Sequence, residues 1–407
     1  MIDEKTFLSE AASVGRKLLA YCRGNNWAGY DPYDALNSTT FSQFPALQSR
    51  IPRLVLTQLL KRSVVDLRPL LSVPKTENPK GTALFLSAIL KDPGLGTPDS
   101  LQLSRFFVDR LAALRSTDNA HWCWGYSFPW QTRTIVVPRG TPNLVCTTFV
   151  ANALLDFYDR HQDSRCLMMA QSAAEYILDE LFWTSGDDVA SFSYPLPSSH
   201  SPIHNANFLA AALLCRIYKH TGQEKFVEPA LRVARYSVAK QAADGSWLYG
   251  DAPTNGWIDN FHTGYNLSGL RSISEYLGTT EFDEPIRRGF AFYRAHFFRE
   301  DGVARYFHDR TYPIDIHCTA QSIITLLEFN YLDRSNTQLA HSVLRWAIDH
   351  MWDDRGFFFY RMLRTCTIRT PYIRWSEAWM LLAIATLLNS GLSTNPTACE
   401  GAQAAAQ

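Results

Sequence analysis

A repeating plan constrains this chain more than any single motif does. Four segments share it: DVASFSYPLPSSHSPIHNANFLAAALL, DGSWLYGDAPTNGWIDNFHTGYNLSGL, DGVARYFHDRTYPIDIHCTAQSIITLL and DDRGFFFYRMLRTCTIRTPYIRWSEAWMLLAIATLL. Each has a Gly/Asp turn, an aromatic run ending in Tyr, a loop, a polar cluster and an apolar helix. HWCWGYSFPWQTRTIVVPRGTPNLVCTTFVANALLDFY is a looser fifth copy, and NNWAGYDPYDALNS a degenerate first one. Anchored on Tyr126, Tyr194, Tyr249, Tyr306 and Tyr360, the spacings are 68, 55, 57 and 54 residues. Six units need roughly 350 residues, which fills a chain of 407 with some left for insertions and a tail.

Amphipathic helices lie between the copies. Leu167, Ala170, Ala174, Ile177, Leu178 and Leu181 recur at helical spacing, as do Ala230, Val233, Ala234 and Val238. The helices that follow the polar clusters, such as 208–218 and 322–329, are apolar around most of their circumference and belong inside. Two concentric rings satisfy both kinds of helix. The predicted fold is all-α: an (α/α)6 toroid of paired inner and outer helices around a central funnel, one domain over 1–392, with a low-complexity tail at 393–407. The polar clusters open the inner helices, so a closed ring gathers them at one mouth, where free backbone N–H groups and partial positive charge favour ligands.

These clusters supply the candidates. His262, His317, Asp259 and His204 are the expected catalytic residues: imidazoles titrate near working pH and suit removal and return of a proton at carbon. In this scheme His262 and His317 are the acid/base pair, Asp259 orients a tautomer, and His204 shares their phase in the repeat. Expected binding residues are Tyr30, Asp31, Asp34, Trp124, Arg133, Asn205, Asn207, Trp257, Asn260, Tyr265, Asp315, Arg374 and Trp375. Eight of the 11 Trp lie in or beside these loops, where ring faces suit stacking on sugars. Against this stands helix capping: Asp or Asn ahead of an apolar run serves first to satisfy helix donors, which applies to Asp315, Asp259 and Asn205. Other chemistries fit the same clusters. Two of Asp31, Asp34, Asp259, Asp315 and Glu377 flanking a glycosidic bond suit hydrolysis. A Tyr/His/Arg set with Arg133 or Arg374 on a carboxylate suits β-elimination. A funnel that grips a glycan or a synthase without reacting is the non-catalytic alternative. His317, Cys318 and Cys123 are thin support for zinc, and neither metal nor cofactor is expected.

Composition narrows the partners. Lys+Arg and Asp+Glu are 39 each, so no overall field draws a phosphate backbone, and nucleic acid is not expected. No stretch reaches the length of a membrane span, and MIDEKTFLSEAASVGRKLLAYC lacks the apolar run of a secretory signal. Eight scattered cysteines without a CxxC pair fit a reduced, cytoplasmic setting.

The runs NNWAGYDPYDALNS, KGTALFLSAIL, CWGYSFPWQ, FVANALLDFY, HNANFLAAALL, GWIDNFHTGYNL, YPIDIHCTAQSI and IRWSEAWM resemble, over nearly the full chain, bacterial and archaeal proteins encoded in exopolysaccharide clusters. That group carries the label polysaccharide-biosynthesis protein, and sometimes delta-aminolevulinic acid dehydratase. The second label fits poorly, since such dehydratases are barrels of alternating strands and helices. The wider resemblance is to the six-hairpin glycosidase-like superfamily of hydrolases, uronate lyases and N-acylglucosamine 2-epimerase-type enzymes. It implies a carbohydrate substrate (a sugar, nucleotide sugar or oligosaccharide of surface-polysaccharide synthesis). It also implies, in the epimerase branch, two catalytic histidines, with which His262 and His317 are compatible. Fold resemblance alone does not select the reaction.

Overall fold

In the computed structural model of the protein, residues 4–96, 99–186 and 188–393 are described. The expected tail lies outside them, save for 393, which ends the last helix. Thirteen main helices follow in order: α1 (Glu4–Gly24), α2 (Arg50–Arg62), α3 (Pro79–Lys91), α4 (Ser100–Ala113), α5 (Leu144–His161), α6 (Ser164–Tyr176), α7 (His204–Thr221), α8 (Val227–Ala239), α9 (Asn260–Leu277), α10 (Asp283–His296), α11 (Ile316–Glu328), α12 (Ser335–Met351) and α13 (Ala378–Ser393).

The odd-numbered helices from α3 to α13 form the inner ring, each packed on the next, and α13 closes it against α3. They are buried on nearly every side: in α11, all residues from Ile316 to Leu326 are buried. The even-numbered helices from α4 to α12 each pack on the inner helix just before them in the chain. Their apolar stripes face inward, as Ala170, Ala173 and Ala174 do in α6 and Ala230, Val233 and Ala234 in α8. One outer position remains, and the first helix takes it. Helix α1 packs on α13, burying Phe7, Ala11, Val14, Leu18 and Leu19, and Glu10 pairs with Arg345 of α12. The fold is therefore the (α/α)6 toroid.

Small residues set the spacing of the inner ring. A Cβ on Gly269 of α9 would lie 2.9 Å from Phe208 Cβ and 3.0 Å from the Phe208 carbonyl atoms of α7. A Cβ on Gly264 would meet Gln321 and Thr325 of α11 at 2.8 Å.

The first unit departs from the plan. Between NNWAGYDPYDALNS and its inner helix α3 the chain makes an excursion of some forty residues that carries α2. This cap is held by buried Arg68, which donates through Nε to Asp34 Oδ1 at 2.8 Å and through Nη2 to the Asp31 carbonyl at 2.9 Å. Short antiparallel pairs fill the other loops, one of which sets Arg361 opposite Asp315. Among the described residues no helix is long and apolar enough to cross a membrane, and the cysteines are unpaired.

Candidate active site

The inner helices begin on one face and surround a cavity of about 610 Å³. A regularity follows from where they start. The second residue of each, Lys80, Val145, Asn205, Phe261, His317 and, in the π turn Ile373–Glu377 ahead of α13, Arg374, lines the cavity. Four of the six starts are capped by a side-chain oxygen: Asn78 for Lys80 N, Asn143 for Cys146 N, Asp259 for His262 N and Asp315 for His317 N, each at 3.0 Å. Ordinary capping thus fixes each helix start, and the start decides which side chain turns inward. The repeat tyrosines Tyr126, Tyr194, Tyr249 and Tyr306 complete the wall with Tyr33 and Tyr265.

The two histidines of the cavity wall sit on α9 and α11. Asp259 does two jobs: Oδ1 caps α9, and Oδ2 lies 2.7 Å from His262 Nδ1 and accepts from Trp257 Nε1 at 2.9 Å. A carboxylate can only accept, so His262 donates from Nδ1, and its neutral form is the tautomer with the Nε2 lone pair free that a general base needs. Trp257 stacks on Tyr249 with centroids 4.4 Å apart, which fixes this corner. On the next helix, His317 Nε2 is 2.7 Å from the Tyr265 hydroxyl. Burial, with Lys80, Arg374 and His262 nearby, pushes His317 well below the ordinary histidine range, so it is neutral. Burial also raises the Tyr265 phenol, which stays protonated. The two histidines flank the Phe261 ring, at centroid distances of 4.0 and 4.7 Å.

Arg374 and Lys80 bring positive charge to this wall. Arg374 forms a bidentate pair with Asp31, Nε to Oδ2 at 2.6 Å and Nη2 to Oδ1 at 2.9 Å, which joins the first unit to the last. Lys80 has no such partner. Its side chain is buried, its Nζ lies 4.0 Å from the Phe149 ring centre, and no carboxylate pairs with it among the described residues. A ring face returns about 2 kcal/mol to a desolvated cation, whereas burying the ion costs several kcal/mol. The amine is accordingly pushed well below the usual lysine range. Three wall atoms, Asn205 Oδ1, Trp130 Nε1 and His317 Nδ1, also have no hydrogen-bond partner among the described residues.

The structure gathers His262, His317, Asp259, Arg133, Asn205, Trp257, Tyr265, Arg374 and Trp375 around this cavity, with Asp31 directly behind Arg374. It takes other expected residues elsewhere. His204, the first residue of α7, turns outward to Asp251 (3.1 Å) and Ser237 (3.3 Å). The three histidines do not share a phase: they stand first, third and second in their helices. Asn207 is spent on Ser191, Phe192 N and Ser237, and Asn260 on Tyr293 and Ser322. Trp124 is a core residue whose indole donates to the Leu111 carbonyl at 2.7 Å. Asp315 caps α11, accepts from Trp375 Nε1 at 2.9 Å and pairs with Arg361, so it has nothing left for a substrate. Asp34 is consumed by Arg68, and Tyr30 lies beside Arg68 and Lys75. Glu377 is buried against the Phe358 amide, away from the cavity. Among the described residues no three His, Cys, Asp or Glu side chains converge to hold a metal.

Sequence reasoning passed over Lys80 and the cap residues Lys61 and Arg62. Lys80 had a signal: it is charged and opens the otherwise apolar run KGTALFLSAIL. Lys61 and Arg62 had none, because α2 stands outside the repeat. A larger groove of about 950 Å³ on the outer surface, between α8 and the strand Val189–Phe192, is open and gathers nothing from the inner ring.

The ring of hairpins and the cavity at its mouth define an (α/α)6 toroid. No family model and no curated protein matches the sequence. Solved structures match the fold: a cellobiose 2-epimerase from Spirochaeta thermophila (TM-score 0.57, 16% identity, 78% of this chain and 87% of that one) and an unsaturated glucuronyl hydrolase specific for heparin (TM-score 0.62, 12% identity, 96% and 98%). A GH76 α-mannanase from Bacteroides thetaiotaomicron is similar at TM-score 0.59, with 12% identity over 78% and 88% of the two chains.

Proposed function

We propose that this chain is a carbohydrate-active enzyme that moves a proton at a sugar carbon, an epimerase or isomerase acting on an intermediate of polysaccharide synthesis. One observation carries the choice of chemistry. Among the described residues that line the cavity, Asp259 is the single acid, and both its oxygens are committed to His262, Trp257 and the helix start. Hydrolysis by paired carboxylates needs a second acid facing the substrate. Proton transfer needs a base with a free lone pair, and His262 has one.

In this reading His262 Nε2 takes the proton next to the carbonyl of an open-chain sugar, and Asp259 stabilises the imidazolium that forms. The resulting enediolate lies against Tyr265 and Arg374, donors suited to its oxygens. The Tyr265 hydroxyl, held by His317 of the next helix, gives its proton to the other face of the enediolate and so inverts the centre, and the tyrosinate then regains through water the proton that His262 took. Twelve aromatic residues on the wall supply faces for the ring or the rest of an oligosaccharide. The fold's occurrence in a cellobiose 2-epimerase and in a D-mannose isomerase supports the class.

The pairing of Tyr265 with His317 beside Arg374 also favours a second reading, β-elimination on a uronate, which begins with the same proton removal. Incubation with sugars and uronate oligosaccharides in deuterated water separates the cases. Deuterium at a ring carbon without a new chromophore is the expected result. An unsaturated product absorbing near the ultraviolet edge gives elimination, and new reducing ends without exchange overturn the proposal. The exchange is expected to vanish in His262→Ala.

A further inference from the structure

The cavity wall is strongly asymmetric in charge. Lys61 and Arg62 of the cap, Arg133 and Arg310 of the loops, and Lys80 and Arg374 of the inner ring line it, against Asp259 alone. The chain as a whole is balanced, 39 basic to 39 acidic residues, so this is no reflection of composition. Some of the six have local partners: Arg374 has Asp31, Arg310 lies 3.4 Å from Asp309, Lys61 donates to Tyr33 and Arg133 to the Thr254 carbonyl. Lys80 is the buried one without an anion. An apolar side chain would fill its place among Phe149, Tyr265 and Trp379 without any cost of desolvation. What a lysine adds there is a donor whose charge a counter-ion bound beside it would stabilise.

We infer that the substrate carries an anionic group, a carboxylate or a phosphate, and that Lys80 receives it inside the cavity while the basic rim draws it in. This builds on the sugar-binding reading above and gives that reading a substrate class. The bound anion supplies the counter-charge that the fold withholds, as a hydrogen-bonded ion pair in a dry site. The cations at the mouth raise the local concentration of such substrates and speed their approach, an effect that salt screens.

Calorimetric titration with glucose, D-glucuronate, glucose 6-phosphate and UDP-glucose tests the inference and separates the sources of negative charge. At least one anionic sugar is expected to bind tenfold or more tightly than glucose, with that advantage shrinking several-fold between 50 and 500 mM NaCl. Lys80→Met is expected to bring the anionic sugar to within about twofold of glucose, and Lys80→Arg to keep most of the preference. Lys80→Gln serves where the Met variant does not fold. Equal affinities in the wild type, no binding of any anionic probe, or a preference unchanged in Lys80→Met and Lys80→Gln overturns it. The proton-transfer reading stands or falls separately: solvent exchange on neutral sugars without charge preference sinks only the anion receptor. Lys80-dependent anion binding without exchange on any sugar sinks only the proton chemistry.

Discussion

Asp259 is a capping residue with a second employment. Asn caps a helix as well as Asp does, so Asp259→Asn retains the fold but loses the charged acceptor that fixes the His262 tautomer. The expected outcome is a fall in kcat of about a hundredfold or more, with KM and the melting temperature nearly unchanged. His317 gives a pH signature of its own. It is neutral when folded and titrates near 6.5 when unfolded, so below that pH the unfolded chain binds the extra proton and stability falls with pH; above it the full stability is present. Urea midpoints measured from pH 7 to pH 5 are expected to drop less steeply in His317→Gln than in the wild type. The sequence suggested Asp259 both as a cap and as the group that orients a histidine, but the depth of burial that keeps His317 neutral was not legible in it. His204, like His262 and His317, stands in a polar cluster at the start of an inner helix, yet it pairs with Asp251 of the following loop and Ser237 of α8.

At the scale of the element, the period of the chain made the helices readable, and the caps decided what they present. One residue turns an α-helix by about 100°. Whether a polar cluster delivers its first, second or third member to the cavity therefore hangs on a helix start that sequence places only to within a residue or two. This is why Asn205 faces inward while His204 and Asn207 do not. Helix α2 escaped notice for a different reason: it repeats nothing, and its side chains Lys61 and Arg62 acquire meaning only where Arg68 anchors the cap over the mouth. The close approach of α7 and α9 yields a stability prediction. Gly269→Ala gains up to about 1 kcal/mol in helix propensity. It also forces a Cβ against Phe208 backbone that cannot swing aside, and overpacking costs about 1–3 kcal/mol. A net loss is expected, read as a lower urea midpoint with an unchanged m-value.

For the whole molecule, closure is the governing fact. Because α1 completes the hairpin of α13, contacts nearly a chain length apart form last in sequence and seal the ring. A chain lacking residues 1–24 leaves the outer flank of α13 open, and it is expected to be insoluble or to bind a reporter of exposed apolar surface. A synthetic α1 peptide added in trans is expected to restore solubility, and no restoration with the peptide bound elsewhere would count against this account of closure. The six-unit arithmetic anticipated a circle, but it did not reveal that the circle is joined by the chain's own beginning.

The inward second position of each inner helix has a consequence beyond this one chemistry. Six inner helices each turn their second residue toward a shared chamber, and side-chain caps fix four of those six starts. A change in a member that bonds to no other unit leaves the other five in place, whereas Arg374 also ties the first unit to the last. Val145 is the plain member of the set, an unoccupied seat at a table where reactivity is assembled guest by guest, and a substitution there is the least disruptive way to give the chamber a new partner for its ligand.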